Sequence, residues 1–248
     1  MRRYSIYLIS VLFIGFIVYL SVLAKKYEPK YRVENLVIVN NHIIPTEVLL
    51  DFIQVKSKEE LADLTADLIL DRIEKYPYVK RVEGFFVDTV TYQVKVEEVI
   101  PFFIAVTNLG NFIVTKENKI IPEDTRLNII DLPVLTISSN LTRENLKPNN
   151  PLFSAAFKSF ENIYKTDKGL FETISEMNID NQQNLNLYLT KPKGKILAGN
   201  EIDKFRAFYL SEFWRQIILN DPNINYDYID LRFQNQIVVK KTSNSGIS

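Results

Sequence analysis

From Val90 to Glu97 apolar and polar residues alternate without a break, Val90, Tyr92, Val94 and Val96 against Thr91, Gln93, Lys95 and Glu97. A period of two belongs to a strand with one wet face. Upstream, Val33 to Val39 (VENLVIV) is rich in β-branched residues and closes on Asn40-Asn41, which predicts another strand. Pro45 then introduces a short helix, roughly Thr46 to Ile53. Ser57-Lys58-Glu59-Glu60 is a capping box, in which serine and glutamate satisfy free backbone donors at a helix start. The helix it opens carries Leu61, Leu64, Leu68, Ile69 and Ile73 as one apolar stripe, and Pro77 stops it. Val79 to Val87 reads as a strand before the alternating one, and Pro101 ends the series. The predicted order is β-α-α-β-β.

Beyond Pro101 the strand-like runs are short and separated by turns: Phe112–Thr115, Lys119–Ile121, Val134–Ile137, Thr173–Ile179 and Leu185–Leu189. Two helical patterns interrupt them. Asn150-Pro151 is a good N-cap and N1 pair, with Phe153, Ala156, Phe157, Phe160 and Tyr164 on one face. Asn200 opens the second, whose Ile202, Phe205, Tyr209, Phe213 and Ile217 are expected to form a broad core face before Asp221-Pro222. The chain closes on Tyr226 to Lys241, where two apolar runs flank Gln234-Asn235. That predicts a terminal hairpin. A strand at the end of a chain often lies at a sheet edge with backbone groups unpaired.

The N-terminal pattern is different. Tyr4 to Ala24 carries no charge and is dominated by Ile, Leu, Val and Phe. As a helix at about 1.5 Å per residue it spans about 30 Å, the thickness of a bilayer core. Tyr4, Tyr7 and Tyr19 lie towards its ends, where aromatic side chains settle at the interface. Val22 and Ala24 stand where small residues precede a cleavage site, but the run exceeds the ~7–15 apolar residues of a signal peptide. An uncleaved single-pass anchor is expected. Arg2 and Arg3 precede the span while Lys25, Lys26, Lys30 and Arg32 follow it, so charge leaves the sidedness open.

Composition narrows the function. The 248 residues carry 30 basic and 30 acidic side chains, which argues against binding nucleic acid through phosphate neutralisation. With no cysteine there is no disulfide, thiolate metal site or cysteine nucleophile. His42 is the one histidine, and after Asn40-Asn41 it reads as a turn residue. Glu97-Glu98 are adjacent on a strand and point to opposite faces, as do Asp227 and Asp230, so neither pair converges on a substrate. No cofactor, metal site or catalytic constellation is expected.

The order of the first module resembles that of the polypeptide-transport-associated (POTRA) domain. Tyr76-Pro77-Tyr78-Val79-Lys80-Arg81-Val82 looks like its helix-to-strand junction, and Glu98-Val99-Ile100-Pro101-Phe102 resembles the segment leaving its last strand. Downstream, Ile113 to Ile121 followed by Asp131-Leu132-Pro133-Val134-Leu135 resembles the start of the β domain in the FtsQ/DivIB family of bacterial division proteins. Ala198-Gly199-Asn200 before a helix with Lys204, and then Tyr228-Ile229-Asp230-Leu231-Arg232-Phe233, extend the likeness over nearly the whole chain. Asn40 and Asn118 stand where that family usually has glycine; asparagine tolerates a left-handed backbone, so both changes are mild. Asp88-Thr89 replaces a common proline, and Val99 a frequent arginine.

The resemblance implies an α+β protein with a cytoplasmic tail (1–3), a transmembrane helix (4–24), a POTRA-like domain (25–101), a β domain with two helices and a C-terminal hairpin (102–241) and a tail (242–248). It implies an inner-membrane protein with the N-terminus in the cytoplasm and the folded domains outside. It implies no enzymatic activity, but a scaffold binding small coiled-coil partners of the FtsB and FtsL type, which helps control septal wall synthesis. The partner's strand would join the terminal edge by β-augmentation. Arg232, Phe233, Asn235, Ile237 and Val239 would line that site, with Lys240 and Lys241 meeting acidic partner residues at its rim. The competing reading is a POTRA-containing membrane accessory of polypeptide transport or assembly. Such a protein would usually repeat the module or lead into a barrel, and the sequence shows neither.

Overall fold

The structure, a computed structural model, describes residues 13–21, 31–129, 131–137, 146–191, 194–220, 226–233 and 236–242. Residues 13–21 form a helix, α1, with Phe13, Ile14, Phe16 and Ile17 exposed. The expected span Tyr4–Ala24 lies outside the described residues on both sides of α1. Among the described residues no helix is long and apolar enough to cross a membrane. The chain divides into two compact units, one of Met1–Asn41 with Thr46–Glu97 and the other of His42–Pro45 with Glu98–Ser248.

The first unit is a three-stranded sheet with helices. Its strands β1 (Asn35–Val39), β2 (Val79–Phe86) and β3 (Thr91–Glu98) lie in the order β1-β3-β2, with β1 parallel to β3. Tyr92, Val94 and Val96 of β3 are buried, so the alternation of wet and dry positions holds. Asn40 closes β1 at φ 65°, the left-handed conformation asparagine tolerates. Three helices connect the strands, α2 (Thr46–Phe52), α3 (Lys58–Ala62) and α4 (Ala66–Glu74), where the sequence predicts two, the stripe from Leu61 to Ile73 being one of them. Ser57 does cap α3, accepting from Glu60 N at 3.3 Å. Glu60 Oε2 returns the bond to Lys56 N rather than to the cap itself. The helix then breaks, because Thr65 Oγ1 accepts from Leu68 N and caps a new one. That turn brings Ile69 and Ile73 into the core and leaves Leu68 exposed, against the single-stripe expectation.

The second unit is a nine-stranded sheet in the order β12-β11-β10-β9-β8-β7-β4-β5-β6. Its strands are β4 (Pro101–Thr107), β5 (Gly110–Thr115), β6 (Ile120–Pro122), β7 (Val134–Ile137), β8 (Ile174–Ile179), β9 (Leu185–Leu189), β10 (Lys195–Gly199), β11 (Tyr226–Asp230) and β12 (Val238–Lys241). β3 stops before Pro101, as the sequence predicts, but Pro101 itself begins β4, and neither β4 nor β10 is among the predicted strands. Between β7 and β8 come α5 (Pro151–Thr166) and α6 (Lys168–Glu172); between β10 and β11 comes α7 (Lys204–Phe213), which runs into a π-turn at Trp214–Ile218. Asn150 caps α5 as predicted, accepting from Leu152 N and Phe153 N. Phe153, Phe157 and Phe160 of α5 meet Phe102 and Phe103 of β4 in a cluster of tilted, edge-on and stacked rings. Fully burying such side chains contributes roughly 1.5–3 kcal/mol each, so this contact anchors α5 to the middle of the sheet. The aromatic stripe of α5 is core packing.

Asp167 ties α6 to α7. It caps α6 through Leu170 N at 3.1 Å and accepts from Ser211 Oγ at 2.8 Å and Arg215 Nε at 2.7 Å. Burial alone would raise its carboxyl; the three donors outweigh it and hold the group below the usual carboxylate range.

Candidate partner-binding cleft at the terminal sheet edge

Strand β12 is the last in its sheet, antiparallel to β11, and no other described strand lies on its outer side. The register sets Ile229 opposite Val239 and Asp230 opposite Val238. Ile237 and Val239 pack against the hydrophobic core, whereas Val238 and Lys240 are exposed. The edge therefore offers open backbone, one face of side chains and a terminal hairpin fixed to the core through the other.

Beside the edge lies a cleft of about 240 Å³ between α7 and the hairpin. Asp203, Phe205, Arg206 and Tyr209 form one wall; Leu231, Phe233, Gln236 and Ile237 form the other. Phe205 is 77 % exposed and Phe233 48 %. This corrects the reading of α7, whose predicted core face included Phe205, Tyr209 and Ile217. The helix starts at Lys204, capped by Asp203 rather than Asn200. Its buried residues are Ala207, Leu210 and Ser211, followed by Trp214 and Ile218 of the π-turn. At 3.6 residues per turn Phe205 then falls about half a turn away from that face. Apolar residues all round a helix that is not wholly buried leave some of them in water. That surplus on α7 was the available signal for this wall.

Two segments singled out in the sequence meet here. Gly199, at φ +77°, ends β10, and a Cβ on it would stand 3.4 Å from Cγ of Arg232. Arg206 Nη1 donates to Glu201 O at 2.7 Å and to Ala198 O at 3.3 Å, closing the loop between β10 and α7. Ser159 Oγ accepts from Ile202 N, and Asn162 donates to Ile202 O, so α5 fixes the same loop from behind. Arg232 is held in turn. Its Nε and Nη2 donate to the two carboxylate oxygens of Asp230 at 2.9 and 2.6 Å, and its backbone N–H donates to Oδ1. The Arg232 guanidinium holds the Asp230 carboxyl below its usual range, against burial that pushes the other way.

Of the expected site residues, Phe233 and Ile237 come together in the cleft. Arg232 stands beside it, already engaged with Asp230. Val239 packs partly against the core and Lys240 reaches Asp227 at 3.3 Å, over the ring of Tyr228. Lys241 is exposed at the end of β12, and Asn235 lies outside the described residues.

No family model matches the chain. The cell division protein FtsQ of Rhodothermus marinus is similar to it, with 27 % identity over 197 residues that cover 77 % of this chain and 70 % of that protein. The series of family-like segments, from the Ile113 strand to Asp230-Leu231-Arg232-Phe233, falls in the β5 to β11 part of the fold. The structure gives this likeness physical content. Asn118, where the resemblance places a turn glycine, adopts φ 60° between β5 and β6. Gly199 occupies a left-handed position, and Asp230-x-Arg232 is an intramolecular clamp.

Proposed function

We propose that this chain is a single-pass scaffold of the bacterial division machinery. Its N-terminus lies in the cytoplasm and its two units lie outside, the first a POTRA-like domain (25–101) and the second a β domain (102–241). It acts by binding rather than by catalysis. The observation that supports this most directly is the open edge of β12 beside the Phe205–Phe233 cleft, in a chain similar to a cell division protein FtsQ. An extended segment of an FtsB- or FtsL-type coiled-coil partner adds to β12, its backbone supplying affinity and its alternate side chains specificity. Phe233 and Ile237 receive an apolar side chain from it, and Lys240 and Lys241 meet acidic residues at the rim. Through that contact the protein helps control septal wall synthesis.

The test is a photo-crosslinking amino acid placed in living cells at Phe233 or Val238, both exposed, with exposed Lys158 of α5 as control. Capture of a small single-pass coiled-coil protein from the first two positions alone is the expected result. Capture from Lys158 with none at the hairpin places the interface elsewhere. Division that continues normally when the chain is depleted removes the division reading itself.

A further inference from the structure

The first unit exposes apolar side chains at the tip of the β2–β3 hairpin, where its chain enters. Tyr31 is 56 % exposed, Phe85 52 % and Val87 58 %. Tyr31 lies against Phe86 with ring centroids 4.8 Å apart, and Phe86 lies against Tyr92 at the same distance. Arg32 N–H donates to Thr89 O at 3.0 Å, which fastens the entering chain to the turn. Asp88 accepts from Val90 N and Thr91 N at 2.8 and 2.7 Å, so the acidic side chain of the turn is folded back on its own backbone. Phe85 near the end of β2 and Val87 just beyond it are both exposed, while Phe86 packs against Tyr31. The tip is thus an apolar knob whose turn is pinned by its own hydrogen bonds.

The length of chain before Tyr31 says what covers it. Six residues, Lys25 to Lys30, separate the expected anchor from Tyr31. Fully extended they reach about 20–22 Å, so the tip stands within reach of the bilayer's polar layer. Three of the six are lysines against one acid, Glu28, with Arg32 beyond them, a net positive run that favours an anionic headgroup surface. Tyrosine and other aromatic residues collect at that depth.

We propose that the tip formed by Tyr31, Phe85, Phe86 and Val87 docks on the lipid surface next to the chain's own anchor. The first unit is then held at the membrane at two points instead of swinging on a tether. The inference rests on the anchor of the proposed function. It commits to lipid; a protein partner at the same tip is an outcome of the test.

The chain lacks cysteine, so single labels are unambiguous. An environment-sensitive fluorophore is attached at Thr89→Cys, in the turn and with the apolar residues intact. Separate proteins carry it at Ile14→Cys in the expected span, or at Lys80→Cys, about 20 Å back along β2. The full chain is reconstituted in phosphatidylcholine–phosphatidylglycerol vesicles containing a headgroup-nitroxide lipid to read the labels at 89 and 80, or a lipid with its nitroxide deep in the acyl chain to read the label at 14, the midpoint of the expected span. The expected result is that the labels at 14 and 89 lose most of their emission, that at 80 keeps its own, and Phe85→Ser with Val87→Ser restores emission at 89. If 14 is quenched while 89 stays as bright as 80, the lipid-docking tip is overturned and the anchor stands. Emission at 89 that dims only on adding a cell extract assigns the tip to a protein and overturns it likewise. If 14 is not quenched, the anchor fails and the inference falls with it.

Discussion

The carboxylate of Glu98 accepts the backbone N–H of Ile44 at 2.8 Å, and those of Ile43 and His42 at 3.0 Å. Three successive donors on one side chain make this the fixed point of the His42–Pro45 loop, which also binds Asn128 N–H through Ile43 O. Ile44 is fully buried, so its N–H has no water to fall back on. Glu98→Ala is expected to lower stability by about 1–3 kcal/mol, the cost of leaving a buried donor unpaired. Urea unfolding of parent and variant, followed side by side, measures it. Glu97→Ala, on the exposed side of the same strand with Lys80 and Arg81, should leave the urea midpoint nearly unchanged, since solvent screens such pairs.

Asp230 carries a pH signature. Its folded carboxyl lies below the unfolded value because Arg232 is bound to it, against the opposing effect of burial. A depressed carboxyl contributes stability above the unfolded value of about 3.9 and loses it as pH falls through the folded one. Asp230→Asn is therefore expected to destabilise by about 1–3 kcal/mol at neutral pH. The gap between variant and parent should narrow below about pH 4. Urea midpoints across that range decide it; a gap that stays constant down to the acid limit would exclude the linkage.

Much of this fold was legible because local rules and burial agree. Asn150-Pro151, Ser57 and the β3 alternation behave as their chemistry dictates, and Asn40 and Asn118 take the left-handed backbone asparagine tolerates. The misses share another cause. Pro101 can begin a strand as well as end one. The stripe from Leu61 to Ile73 did not reveal that Thr65 would recap the helix. On α7 the six apolar residues of ten are spread around the helix, and only the late cap at Asp203 decides which of them turn outward. The hairpin half of the cleft was readable from the chain's end; the Phe205–Tyr209 half depended on that phase.

Gly199 is required by its backbone. At φ +77° an alanine is strained, while its Cβ would only come into van der Waals contact with Arg232 Cγ at 3.4 Å. Gly199→Ala should cost about 1 kcal/mol or more, read as a fall in Tm. Gly199→Asn should cost less than Gly199→Val, since asparagine visits this region and a β-branched residue does not. Equal losses for the two would mean that crowding at Arg232, rather than φ, sets the requirement.

Function and stability separate at the terminal hairpin, which makes the proposed interface testable. Phe233 is exposed in the cleft, so Phe233→Ser removes no core contact and should shift stability by no more than about 0.5 kcal/mol. Lys240→Glu breaks one surface ion pair with Asp227, an effect of a few tenths of a kcal/mol in water at ordinary salt. Val239→Ser differs, because Val239 packs on the core opposite Ile229 and should lose about 1 kcal/mol. Partner capture should follow a different order. Phe233→Ser and Lys240→Glu are expected to abolish or strongly weaken it while Tm stays put, whereas Val239→Ser weakens it only as far as the hairpin loosens. Melting curves and pull-down by a coiled-coil partner, run on the same three proteins, give both orders. Capture that tracks Tm across the set would make the hairpin a structural element and move the binding surface away from the cleft.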